Sequence, residues 1–439
     1  MQVLDWSRLD PASRRAALLR PAVRASGDTL ARVKAIISAV REDGDRALTR
    51  FTRELDQTDL SNFRVSEPEF AEARTMLSSD ALRAIGVAID NVRCFHSAQT
   101  IPPVRVETAP GVVCERVSRP LSAVGLYVPA GSAPLPSTAI MLGVPAALAG
   151  CPVRILCTPP RPDGSADPSI LAAAQTCGIT EIYKIGGAQA IAAMAYGTQT
   201  VPKVVKIFGP GNAWVTAAKT IVSADPAGAA LDMPAGPSEV MVIADHNANP
   251  RFVAFDLLAQ AEHGPDSHVV LVCETAAIAT AVEAELRLAL ATLPRREIIS
   301  AALGHSLAIL VPNLATAVEV ANEYAPEHLI LQTRSPRSLV DGITTAGSVF
   351  IGAWTPESVG DYCSGANHVL PTYGYARAYS GLSVTDFQRR MTLQELTLAG
   401  LEGLAPTVTT LAGLEGLQAH ADAVTVRLAG ARISGMGQP

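Results

Sequence analysis

Short, continuously apolar runs alternate with helical stretches through the middle of the chain. They are Arg154-Ile155-Leu156-Cys157, Ile182-Tyr183-Lys184-Ile185, Val204-Val205-Lys206-Ile207-Phe208, Val240-Met241-Val242-Ile243, Val269-Val270-Leu271-Val272, Ala308-Ile309-Leu310-Val311, Leu329-Ile330-Leu331 and Val349-Phe350-Ile351. Runs without polar alternation belong to strands covered on both faces, as in parallel sheets with crossover helices. Two such sets, divided near Met233-Pro234-Ala235-Gly236-Pro237, predict an α/β fold with two parallel-sheet domains. Ahead of them, Asp10-Pro11 opens a short basic helix, and Leu30, Val33, Ile37 and Val40 recur at three and four after Asp28. That helical pattern runs to about Ser97, and extended runs follow at Val112-Val113-Cys114 and Val124-Gly125-Leu126-Tyr127-Val128. The tail after about Thr385 reads as helix again, cut into short pieces by Gly400, Gly403, Gly413 and Gly416.

One predicted helix carries candidate chemistry. Asn249 caps it, Pro250 opens it and Gly264-Pro265 stops it. Asp256, Gln260 and His263 follow at steps of four and three and share one face, while Val253, Leu257 and Ala261 take another. Gln260 and His263 can present two donor atoms to one ligand or metal. The alternative is a polar stripe ending in a His at the negative end of the helix.

Further candidates lie in turns. Gly186-Gly187-Ala188-Gln189 and Gly209-Pro210-Gly211-Asn212 each follow a strand and start a helix, where an anion such as a pyrophosphate is favoured. Neither is the G-x-G-x-x-G fingerprint, so both also read as tight turns. Glu327-His328 stands at a strand entrance and offers two proton acceptors suited to neutral pH. The segment from Gly360 to His368 is a glycine-punctuated loop bearing Asp361 and His368. Glu415 and His420 are five apart, so they reach one ligand only if Gly416 distorts the helix or they face it from an end. His96, His246, His268 and His305 lack such surroundings and read as surface or satisfied core residues.

Composition narrows the classes. With 48% hydrophobic and 17% charged residues the chain has ample core and no disordered character. A net charge of -6 gives no reason to expect nucleic acid or an anionic membrane as partner. Seven cysteines without a C-x-x-C pair read as buried thiols in a reducing compartment. With neither a signal peptide nor an apolar stretch of membrane-spanning length, the expected location is the cytoplasm.

Taken together, the ordered stretches resemble the histidinol dehydrogenase family. The matching segments are Val124 to Pro129, Gly186 to Ala192, Phe208 to Ala213, Asp232 to Glu239, Gln260 to Ser267, Pro326 to Ile330 and Asn367 to Thr372, with the segment from Glu415 to His420. The resemblance implies two Rossmann-like domains, with a helical N-terminal segment (1–25) and a small helical tail (382–439). One domain, discontinuous over 26–128 and 237–381, would carry the metal and catalytic residues; the other, 129–236, would contact NAD.

By position, the resemblance implies one zinc per subunit held by Gln260, His263, Asp361 and His420, the same residues also meeting substrate. Ser238, His328, His368 and Glu415 would contact L-histidinol, and Tyr127, Gln189 and Asn212 would contact NAD. The implied reaction oxidises L-histidinol through L-histidinal to L-histidine with two NAD reduced, the last steps of histidine biosynthesis. His328 would be the general base and Glu327 would activate water. The family forms a homodimer in which the tail completes the partner's site. Two positions depart from the family's usual residues: Ala130 replaces a common Gly, and Trp214 a smaller aromatic. The rival readings are a related zinc and NAD enzyme acting on another small alcohol, and a non-catalytic zinc-binding relative.

Overall fold

The computed structural model describes residues 1–20, 27–130, 133–234 and 236–434. The boundary expected near residue 25, and Ala235 of the segment from Asp232 to Glu239, lie outside them. Two compact units emerge, one of residues 1–99 with 121–387 and one of residues 100–120 with 388–439.

The larger unit holds two parallel sheets. The first comprises β1 (Gln2–Asp5), β9 (Glu239–Ala244), β10 (His268–Cys273), β11 (Leu307–Leu310), β12 (His328–Gln332) and β13 (Ser348–Ile351), in the order β1-β11-β10-β9-β12-β13. The second comprises β4 (Ala123–Tyr127), β5 (Val153–Thr158), β6 (Glu181–Lys184), β7 (Lys206–Phe208) and β8 (Ala230–Leu231), in the order β6-β5-β4-β7-β8. In each sheet the chain winds outward from a central strand, β9 or β4, then restarts on that strand's other side, the winding that creates a crevice where direction reverses. Every residue of β9, β10 and β12 is buried, as the unbroken apolar runs require. The N-terminal segment is not wholly helical, because Gln2–Asp5 pairs with β11 as an edge strand.

Local signals hold where they have a mechanism. Asp10 accepts from the backbone N–H groups of Ala12 and Ser13 to cap Pro11–Ala17, and Asn249 accepts from that of Arg251 to cap Pro250–Ala261. The latter helix ends at Ala261, so His263 stands in the following turn with its N–H on the Gln260 carbonyl. Ala130 is absent from the non-glycine residues at positive φ, so the departure at that position brings no backbone strain. Trp214 packs on the second sheet's core beneath the Arg32 guanidinium.

The smaller unit corrects the helical reading of the tail's beginning. Gln388–Leu396 is a strand, β14, pairing antiparallel with β3 (Val112–Pro120), which pairs in turn with β2 (Val104–Ala109). Helices Leu398–Leu414 and Gln418–Ser434 follow as an antiparallel hairpin. Among the described residues no helix is long and apolar enough to cross a membrane.

Candidate active site

The edges of the two sheets differ in electrostatic character because helices run antiparallel to the strands they follow. At the amino edge of the first sheet the Pro250–Ala261 helix arrives with its C-terminus, the partially negative end that favours a cation. At the carboxyl edge of the second, Gly187–Tyr196 and Ala213–Ser223 begin, presenting N–H groups that favour an anion. Candidate chemistry in the first sheet therefore gathers at the strand entrances, opposite to the carboxyl-end rule that holds for the second.

His328 opens β12 and is 4% exposed. Three carboxylates surround its ring: Glu327 Oε2 at 3.8 Å and Glu357 Oε1 at 3.8 Å from Nδ1, and Asp361 Oδ1 at 3.6 Å from Nε2. Glu327 is fixed by the backbone N–H of Glu239, which donates to its Oε2 at 2.9 Å. Burial opposes a charge on His328, but Glu357, Glu327 and Asp361 outweigh it and raise the imidazole to about 10. Burial pushes the Glu327 carboxyl up to about 8 and Glu357 well above the usual range. Burial also acts to raise Asp361, but the neighbouring His328 imidazole overcomes it and holds this carboxyl low.

One corner of the Gln260 amide lies 3.0 Å from His328 Nδ1, 2.9 Å from Glu357 Oε1 and 3.2 Å from the Glu239 carbonyl oxygen. These acceptors suit the amide nitrogen, which turns the Gln260 carbonyl oxygen away from them. His328 Nδ1 then accepts, and the ring proton of a neutral imidazole sits on Nε2. A proton on Nδ1 has an alternative acceptor in the Glu239 carbonyl at 3.2 Å, and that tautomer leaves Nε2 with a lone pair.

A cation fits this donor set. His263 Nε2 lies 4.0 Å from Asp361 Oδ2, and His263, Glu357 and Asp361 bring one ligand atom each within 4.8 Å of one another. Imidazole with carboxylate oxygens suits zinc and other divalent ions. Among the described residues, buried His328 Nε2 and Glu357 Oε2 have no hydrogen-bond partner, as expected where an ion or substrate supplies one. Burying several ionisable groups together costs several kcal/mol per ion unless compensated.

His368 also joins the cluster, its Nδ1 3.9 Å from Asp361 Oδ1 and its Nε2 3.5 Å from Thr138 Oγ1; burial lowers it to about 4. Ser238 precedes β9, with its carbonyl accepting from the His268 backbone N–H at 3.2 Å. Asp361 lies in a short helix, Glu357–Tyr362, rather than in the loop expected from its glycines. Glu357 is the member that the sequence reading missed; its signal was an acidic pair at positions four apart, which share one helix face.

Glu415 and His420 belong to the smaller unit. Glu415 caps the Leu398–Leu414 helix, and Gly416 at φ 71° ends it, supplying the break that can let the two side chains face one ligand. The histidines read as structural have protein partners: His96 Nδ1 meets the Val92 carbonyl at 2.9 Å, His268 Nδ1 the Tyr324 hydroxyl at 2.6 Å, His305 Nε2 the Ser267 carbonyl at 3.0 Å, and His246 Nε2 the Asn247 amide at 3.0 Å.

At the second sheet, the Tyr127 hydroxyl accepts from the Gly187 backbone N–H at 3.0 Å. Gln189 is buried and donates from Nε2 to Asp56 Oδ2 at 3.3 Å. Asn212 uses Oδ1 to cap the Ala213–Ser223 helix. Lys219 Nζ donates to the Gly209 carbonyl at 2.8 Å and pairs with Asp232, fixing the Gly209-Pro210-Gly211 turn. Cys151, Cys157, Cys177 and Cys273 are buried, whereas Cys94 is exposed; none of the seven is disulfide-bonded.

Comparison with known proteins gives one answer. The family model described as histidinol dehydrogenase matches residues 19–428. A histidinol dehydrogenase of Photobacterium profundum is 54% identical over 428 residues, covering 98% of this chain and 96% of its own. That of Salmonella typhimurium is 54% identical over 426 residues, covering 97% of each. The crystal structure of histidinol dehydrogenase from Elizabethkingia anophelis superposes with a TM-score of 0.94 at 44% identity, covering 98% of this chain and 99% of that one.

Proposed function

The chain belongs to the histidinol dehydrogenase family of NAD-dependent dehydrogenases, and from that premise we propose that it oxidises L-histidinol through L-histidinal to L-histidine at the cluster around His328. The observation that supports this most is the buried imidazole with three carboxylates within 4 Å of its ring. It combines a proton acceptor, a second base and cation ligands in one place.

Gln260, His263 and Asp361 of one chain, with His420 of a second, would hold zinc, and Glu357 stands where it can orient Gln260 or join the ligands. When bound, the ion would orient the substrate's imidazole and amino nitrogens and offset the carboxylate charge that raises His328, returning that residue to the range of a base. NAD, bound at Tyr127, Gln189 and Asn212, would supply the hydride acceptor for both oxidations.

The remaining chemistry falls to side chains. Ser238, His368 and Glu415 would hold histidinol. His328 takes the alcohol proton as the carbinol carbon is oxidised. Glu327, raised to about 8, then takes a proton from water as that water adds to the aldehyde. His328 removes a hydroxyl proton from the resulting hydrate during the second oxidation. Performing both steps at one site keeps the aldehyde out of solution.

We place Glu415 and His420 in the site of a partner chain within a homodimer, and the enzyme in the cytoplasm as part of histidine biosynthesis. The reading is tested by incubating the zinc-loaded protein with L-histidinol and NAD and identifying the product. L-Histidine supports it; accumulation of histidinal or recovery of unchanged histidinol refutes it.

A further inference from the structure

At the carboxyl edge of the second sheet, one carboxylate stands between two helix ends of opposite sign. Asp56 is the C-cap of the Asp45–Leu55 helix, whose last carbonyls repel negative charge. Burial pushes its carboxyl up to about 6, and among the described residues its side chain accepts one hydrogen bond, from Gln189 at 3.3 Å.

An unmet polar atom lies at the same place: Gln189 is 1% exposed and, among the described residues, its Oε1 has no partner. Gly186 separates Asp56 from the Gly187–Tyr196 helix; a Cβ there would lie 3.2 Å from Asp56 Oδ1 and 2.9 Å from Pro159 Cγ. Gln189 Oε1 faces the same turn, 2.8 Å from where a Gly187 Cβ would stand. Among the described residues no backbone N–H of that helix donates to the Asp56 carboxylate, whose partner is the Gln189 side chain.

We propose that Asp56 binds the vicinal hydroxyls of the adenosine ribose of NAD and that its charge excludes a 2′-phosphate. This rests on the reading that the dinucleotide lies at Tyr127, Gln189 and Asn212. Two carboxylate oxygens can accept two hydroxyl protons side by side, and an acidic residue commonly holds the ribose 2′-hydroxyl in dinucleotide folds. The assignment to the adenosine half follows from chain order. β8 leads through Ser238 to β9 and the His328 cluster, so the nicotinamide belongs on the β7 and β8 side. The β5 and β6 side, where Pro159 and Gly186 flank Asp56, is left to adenosine.

The test measures initial rates with saturating histidinol and varied NAD, NADP or the adenosine 2′-deoxy analogue of NAD, for the zinc-loaded wild type, Asp56→Asn and Gln189→Ala. In the wild type the 2′-deoxy analogue should have a KM raised about tenfold, the scale of a hydrogen bond to a charged group. Asp56→Asn should raise the NAD KM by a similar factor, abolish most of the difference between NAD and the analogue, and narrow the preference over NADP at least about tenfold. Its kcat should stay within about twofold, and its melting temperature should not fall, because a charge made costly by burial has gone. A residue that merely supports the turn would instead lower the melting temperature and leave the coenzyme ratios unchanged, which overturns the proposal. Equal KM values for NAD and the 2′-deoxy analogue in the wild type overturn it without any variant. If Gln189→Ala leaves the NAD KM unchanged while Asp56→Asn shifts the ratios, the ribose contact stands and the Gln189 contact fails. If neither substitution alters any coenzyme KM, NAD does not bind at this edge and both fail.

Discussion

Gln260 and His328 meet at 3.0 Å through an amide corner and Nδ1, so the orientation of one sets the tautomer of the other. With the amide nitrogen towards Nδ1, the Gln260 oxygen is free for a metal and the ring proton lies on Nε2. The Glu239 carbonyl, 3.2 Å from Nδ1, is the alternative acceptor once that amide nitrogen turns away, and a proton on Nδ1 then exposes a lone pair at Nε2. Ligand and base are therefore coupled through one contact.

His328→Ala should lower histidinol-dependent NADH formation about 10²- to 10⁴-fold, the usual contribution of a general base, while zinc content measured by atomic absorption stays near one per chain. Glu327→Gln should slow oxidation of supplied histidinal more than oxidation of histidinol. Normal histidinal oxidation by both variants would show that the base assignments are wrong.

Glu357 is the first of the carboxylates that raise His328. In chelator-treated protein, Glu357→Gln should therefore lower the His328 imidazole from about 10, read by nuclear magnetic resonance of labelled histidine. An unchanged titration would mean that Glu327 and Asp361 alone hold the proton.

If the tail completes a partner's site, two inactive chains should rescue each other. Co-expressed His328→Ala and His420→Ala chains would form mixed dimers containing one intact site, returning about a quarter of wild-type activity from random pairing. No recovery, with dimers present by sedimentation, would assign His420 to its own chain's site.

Asp56 also makes a pH prediction. Its carboxyl is raised in the folded state to about 6 from an ordinary 3.8, so its ionisation opposes folding. That cost is fully present above about pH 6 and fades as pH falls towards 4. Asp56→Asn should thus melt higher than the wild type at pH 7.5, and the advantage should vanish near pH 4. A constant difference across this range would mean that the carboxylate charge is not its source.

Much of the fold was legible because its signals have local causes. The apolar runs at Val240, Val269 and Leu329 could only be buried on both faces, and Asn249-Pro250 could only begin a helix. Other features depend on contacts made at a distance. Gln388–Leu396 has mostly exposed residues and no clean alternation, so its pairing with Val112–Pro120 left little trace. Gln2–Asp5 is a strand because β11 presents an open edge. Within the site, Gln260, His263, Asp361, Glu327 and His328 stood out through the family's motifs. Glu357 did not, since its importance comes from reaching Gln260 and His328 across the fold. Asp56 shows the same limit, gaining significance only beside Gln189 and Gly186.

The most direct measurement is the NADH formed at completion from limiting L-histidinol and excess NAD, on protein stripped by chelator and on the same protein reloaded with zinc. Two NADH per histidinol after reloading, and none before it, is the predicted result. One NADH per histidinol, or two from the stripped protein, would contradict a zinc-assisted double oxidation at the His328 cluster.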